Sequence, residues 1–138
     1  MSKESAFQFT RPVLKSLAVT INDSFEPTDE GKINITITTH VNKQQLLQET
    51  SENVAEVILS VEIGSQEDMS SPFHIVAEET ANFKWPKDQY SKDETDRLLK
   101  GNAPSLLLSY LRPVIAMVTA ASAFPAYNIP FIDLTKGV

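Results

Sequence analysis

The sequence predicts an α+β domain: a four-stranded antiparallel sheet followed by two C-terminal helices packed on one of its faces. Three observations predict it. Apolar and polar residues alternate through the first two-thirds of the chain. The last third carries a helix-capping signal and a nearly continuous apolar run. The segments between the strand-like runs are too short for parallel crossovers, which need a dozen or more residues. The 138 residues fit one domain, residues 1–138, with residues 1–10 as a flexible lead, and there is no internal repeat.

Leu17, Val19 and Ile21 alternate with Ala18 and Thr20 and give the first strand. Ile33, Ile35 and Ile37 alternate with Asn34, Thr36 and Thr38 and give the second. The third has Val57, Leu59, Val61 and Ile63 opposite Glu56, Ser60 and Glu62. In the fourth, Phe73, Ile75, Ala77, Ala81 and Phe83 share a face, with Glu79 as a polar intruder. Turn chemistry marks Glu26-Pro27-Thr28-Asp29-Glu30-Gly31 and Gly64-Ser65-Gln66-Glu67-Asp68. The polar segment Val41 to Asn53 is expected to be a long loop or a short helical turn. Trp85-Pro86 closes the strand region.

Ser91 with Glu94 three positions later forms a capping box, and the helix it opens is expected to stop at Gly101. A second helix starts near Pro104, which the first helical turn tolerates. It is apolar almost all round, and a single domain covers only one side of such a helix with its own sheet. The other side is expected to meet another subunit, with Leu107, Leu111 and Ile115 as candidate interface positions. Pro113 cannot donate to Ser109 and predicts a kink or a break. Pro125 and Pro130 then hold the chain extended.

Composition excludes several function classes. A formal net charge of −6 opposes nucleic-acid binding, which needs clustered Lys and Arg. There is no Cys, hence no disulfide and no thiolate site. The lead lacks the apolar run of a signal peptide. The run Leu106 to Phe124 contains Arg112 and Pro113 and reads as a buried helix, not a membrane span. Asn22-Asp23-Ser24 and Asn34-Ile35-Thr36 match glycosylation acceptors by chance.

No catalytic or metal constellation emerges. The four Gly are scattered and form no phosphate loop. His40 and His74 sit on different strands without ligand spacing. Glu78 and Glu79 are adjacent and point to opposite faces of a strand, so they form no carboxylate dyad. No cofactor is expected. The aromatic residues Phe25, Phe73, Phe83, Trp85 and Tyr90 at strand ends and loops point to a shared apolar groove or to the core.

The C-terminal third resembles the SecB family of protein-export chaperones. The matching residues are Asn102, Pro104, Leu107, Tyr110 and Arg112, then Phe124-Pro125, Asn128-Ile129 and Pro130-Phe131. Upstream, the order of four strands and the ten-residue spacing of Phe73 and Phe83 also match, over roughly residues 12–134. The resemblance implies an α+β fold, a dimer or dimer of dimers, and an ATP-independent holdase for unfolded polypeptides in the cytosol. It makes Phe25, Phe73, Phe83, Trp85, Tyr110 and Phe131 the candidate peptide-binding residues. The family docks the SecA motor through acidic residues. Here Ser16, Thr20 and Val76 stand in their places, so weak SecA binding is expected. Two alternatives remain: a SecB-fold protein dedicated to one partner, such as an antitoxin or a mobile-element protein, and a small-molecule-binding domain.

Overall fold

A computed structural model describes residues 3–26, 33–65, 67 and 71–136. Among these residues five strands form one antiparallel sheet: β1 (Gln8–Phe9), β2 (Val13–Ile21), β3 (Ile35–Leu47), β4 (Glu52–Ile63) and β5 (Phe73–Pro86). β5 pairs along one edge with β4 and along the other with both β1 and β2. The sheet is therefore four strands wide, in the order β2–β5–β4–β3, and β1 is the correction to the expected strand count. Thr10 bridges the gap between β1 and β2: its N–H donates to the Asn82 carbonyl (2.9 Å), and Asn82 N–H donates to its hydroxyl (3.0 Å). Part of the lead expected to be flexible is thus tied down. Phe7 also stacks on Phe83, with ring centroids 5.2 Å apart.

The alternation in β4 and β5 becomes burial. Val57, Leu59, Val61, Ile63, Phe73, Ile75, Ala77, Ala81, Phe83 and Trp85 line the helix side of the two central strands. The expectation that short connections join neighbours holds for the β3–β4 and β4–β5 hairpins and fails for β2 and β3. Those two lie on opposite edges of the sheet, joined by residues 22–34. Pro27 to Gly31 of that turn, and Gln66 and Asp68 of the other, lie outside the described residues. At its start the β4–β5 connection needs a glycine. Gly64 has φ +72°, and a Cβ there would lie 2.2 Å from the Phe73 carbonyl oxygen.

Residues 41–53 form neither a loop nor a helical turn. β3 continues to Leu47, and 48–51 are the turn into β4. A bulge between Asn42 and Gln45, with Lys43 at φ 54°, hides the strand period.

Ser91 caps α1 (Lys92–Arg97) with a complete capping box. Its hydroxyl accepts from Glu94 N–H, and the Glu94 carboxylate accepts from Ser91 N–H, which holds that carboxyl below its ordinary pKa. The helix does not stop at Gly101. It widens into a π turn, Leu98–Asn102, and continues as α2 (Ala103–Ala120). Gly101 serves another purpose: a Cβ there would meet the Thr135 Cα at 3.1 Å, so the glycine lets the C-terminal segment lie against the helix. Nor does Pro113 break α2. It lies on the exposed side, where the carbonyl of exposed Ser109 has water as an alternative partner.

Residues 92–120 are long and apolar enough to cross a membrane by length and composition. Their buried side nevertheless packs on β4 and β5 as a core helix does.

Candidate functional site: an open apolar trough

The two flanks of α2 are covered differently. Residues on one flank, Ser105, Leu108 and Arg112, face the returning C-terminal segment. There Ile129 is buried, Ile132 and Leu134 pack on the core, and Arg112 Nη2 donates to the Pro130 carbonyl (2.8 Å). Tyr127 N–H donates to the Thr119 hydroxyl (2.7 Å), and its ring meets Phe73 edge-on at 5.7 Å. Tyr110, Val114 and Met117 recur every three or four residues on the opposite flank, which faces β2. Tyr110 meets Phe9 edge-on, ring centroids 6.5 Å apart, which fixes that flank beside the β1–β2 edge.

The helix side of β2 is only partly covered among the described residues: Leu17 and Ile21 are half-buried against the core. Register places Leu17, Val19 and Ile21 opposite Ala77, Ile75 and Phe73, all on the helix side. A bulge between Leu14 and Ser16 returns Leu14 to that same side, opposite Glu79. Yet Leu14 is 43% exposed and Val19 37%, while Tyr110 is 42% and Met117 67% exposed. Leu14 and Val19 thus leave an open apolar strip at the β2 edge, a trough on the side of α2 that carries Tyr110, Val114 and Met117.

The expected site residues divide accordingly. Phe73, Phe83 and Trp85 are not surface groups; they are buried in the core because β5 is a central strand, not an edge. Phe25 is half-buried against Phe124, at 5.5 Å edge-on. Tyr110 is on the trough wall. Phe131 is 85% exposed but sits on the other flank, beside Arg112. Leu107, Leu111 and Ile115, expected at a subunit contact, are fully buried against the chain's own sheet, so they are unavailable to a second subunit. The outward apolar residues of α2 are Leu106, Tyr110, Pro113 and Met117. Sequence reasoning missed Leu14 because the bulge puts it out of phase with Leu17.

Glu79 lies beneath the trough. It faces the helix side and is 4% exposed, between Leu14 on β2 and Leu59 on β4. Its Oε2 has no hydrogen-bond partner, and burial raises its pKa above the ordinary 4.5. Glu78, one residue earlier, faces the opposite side of the sheet, as strand alternation dictates. On that outer face His74 Nε2 lies 2.7 Å from Glu62 Oε2, a pairing that residue spacing did not announce. No group of three or more His, Cys, Asp or Glu positioned for a metal occurs among the described residues.

Comparison with known proteins gives a consistent outcome. The family model described as preprotein translocase subunit SecB matches residues 2–136. A search of curated proteins returns no match. Among solved structures, the chain is similar to the Mycobacterium tuberculosis Rv1957 SecB-like chaperone, in complex with a ChAD peptide from the Rv1956 HigA1 antitoxin. The TM-score is 0.67 at 14% identity, covering 92% of this chain and 91% of that one. It is also similar to a Streptococcus agalactiae protein of unknown function. There the TM-score is 0.54 at 12% identity, covering 91% of this chain and 97% of that one.

Proposed function

The chain belongs to the SecB family, a chaperone family, and we propose that it is an ATP-independent holdase that keeps polypeptide segments extended in the trough beside α2. The observation that carries this reading is the exposure of Leu14 and Val19 on the helix side of β2, on the side of α2 that carries Tyr110. A folded chain gains by covering such a surface, and an extended client would bury it at about 25 cal/mol per Å² of apolar area. The outer edge of β2 has no strand beside it among the described residues. A client aligned along it would add main-chain hydrogen bonds to the side-chain burial.

The protein works in the cytosol, without metal, cofactor or catalysis, as a dimer or dimer of dimers. The subunit contact falls on the outward side of α2, around Leu106 and Pro113. SecA binding is weak. Ser16, Thr20 and Val76 stand where the family's docking acids are expected, and Glu79 cannot stand in because it faces α2. A second reading, a chaperone dedicated to one partner, is favoured by the antitoxin peptide held by the Rv1957 chaperone.

Light scattering of chemically unfolded clients on dilution tests the proposal. The protein should suppress aggregation of several unrelated clients at near-stoichiometric ratio without ATP, and Leu14→Ser should weaken this while shifting the melting temperature little. Suppression of none by the wild type would overturn the general holdase and leave the dedicated partner.

A further inference from the structure

β2 covers the edge of β5 only as far as Thr80. Beyond it, from Asn82 to Lys84, that edge is taken by the chain's own lead. Gln8 and Phe9 pair with Lys84 and Phe83, and Thr10 bonds to the Asn82 backbone at 2.9 and 3.0 Å. Side chains hold the lead as well. Phe7 lies flat on Phe83, with ring centroids 5.2 Å apart and planes 11° from parallel, and it meets Trp85 at 5.5 Å. Phe9 meets Phe83 at 6.1 Å and Tyr110 at 6.5 Å. Strand alternation puts Gln8, between them, on the other face. The hold is nevertheless slight. β1 is two residues long, Phe9 stays 41% exposed although docked, and exposed Lys3 and Glu4 make no ion pair among the described residues. Pro12 is buried and anchors the point where the lead joins β2. If the lead lifts, Phe83 and Trp85 lose a cover, and the main-chain groups of β5 that it pairs with stand open at a strand edge.

We propose that residues 5–10 are an autoinhibitory strap: the lead occupies the β5 edge beside Phe83 and Trp85 as a built-in competitor, and a long client is bound only by displacing it. This rests on the trough being the client surface. The lead has the form that the trough is proposed to hold, an extended segment whose apolar and polar side chains alternate, and its Phe9 reaches Tyr110 at the trough itself. Tethered at Pro12, it is present at a high effective concentration, so it excludes weak competitors without any bond that must be broken chemically. A client that runs past Thr80 gains two aromatic rings and a strand edge, and its apparent affinity is lowered by the fraction of molecules in which the strap is closed.

Fluorescence anisotropy with labelled, carboxymethylated lactalbumin, a chain that stays unfolded, tests this on the full-length protein. Phe7→Ser with Phe9→Ser removes both rings from the strap and should bind this client about tenfold tighter than wild type, the gain expected where the strap is open in about a tenth of wild-type molecules. A free peptide of residues 3–11, added in excess, should reverse the gain, and the same peptide with Ser at both Phe positions should not. Trp85 is the one tryptophan of the chain, so its emission should move to longer wavelength in the variant and return with the peptide. Thr10→Val keeps both rings and removes the hydroxyl that accepts from Asn82; it should give a smaller gain, and it decides the matter if the double variant does not fold. Unchanged or weaker client binding in the folded double variant, or in Thr10→Val where the double variant is unfolded, would overturn the strap and leave the trough. So would a gain that the wild-type peptide does not reverse. Binding of the client by neither wild type nor variant would overturn the trough as a client surface, and this inference with it.

Discussion

The two flanks of α2 pose the same physical problem and meet it differently. Each is an apolar helix side beside a sheet that extends past it. On one flank the chain's own C-terminal segment fills the angle: Ile129 is buried, Ile132 and Leu134 pack on the core, and Arg112 and Thr119 hold the segment to the helix through its backbone. On the other flank, the side of α2 that carries Tyr110, Leu14 and Val19 stay open to solvent. Closure in cis contributes stability. An open flank contributes none until something occupies it, and that is the flank to which the proposed client binding is assigned.

Substitutions on the two flanks should separate these contributions. The largest effect is expected on the closed side. Ile129→Ala leaves a cavity under the tail and should cost about 2–5 kcal/mol of stability in chemical denaturation, with client affinity per folded molecule unchanged. A smaller, opposite pattern is expected on the open side. Tyr110→Ala should weaken client binding by roughly 1–3 kcal/mol, the scale of burying one large side chain, while shifting the denaturation midpoint little. If Tyr110→Ala unfolds the protein and Ile129→Ala does not, the assignment of the flanks is inverted.

The smallest effect depends on pH. The Glu79 carboxyl titrates above the ordinary 4.5 because it is buried, so the native state holds its proton more tightly than the unfolded state does. Its neutral form fits the apolar layer below that ordinary value. As pH rises through the raised pKa, the native state must ionise a buried group and loses stability. Glu79→Gln stays neutral throughout, and at pH 7 should gain about 1 kcal/mol over wild type. The gain should vanish as pH falls to about 4. Equal stabilisation at pH 4 and 7 would show that packing, not charge, is responsible.

Much of this architecture was legible in the residues, and the failures have local causes. Val57 to Ile63 and Phe73 to Phe83 alternate cleanly because β4 and β5 are central strands with one face buried. The end of β3 was not legible. Val41 and Leu46 share the helix side although they are five residues apart, a spacing that needs the bulge at Asn42/Gln45. Gly101 carried the expected helix-stop signal, but it answers the close approach of Thr135, a contact made across the fold. The site was only half legible for a topological reason. Alternation assigns faces but not strand order, so it could not show that Phe73, Phe83 and Trp85 lie on a central strand. It could not show either that Leu14 lies at an uncovered edge. Glu79 did stand out as an acid on an apolar face, and it became meaningful once its neighbours were known.

The crossing of β2 to the far edge of the sheet also sets an order of assembly. β3, β4 and β5 join through hairpins between chain neighbours, whereas β2 pairs with residues more than fifty positions away, from Ile21 with Phe73 to Val13 with Thr80. Closing so long a loop costs entropy before any contact returns it, so β2 docks after the hairpins have formed. By the same reasoning it is the first strand to detach in the native ensemble, and its amide protons exchange through smaller openings than those of β4. The β2 side of the trough is thus the less firmly anchored one, and an occupant lying along it would register first as slowed exchange in β2.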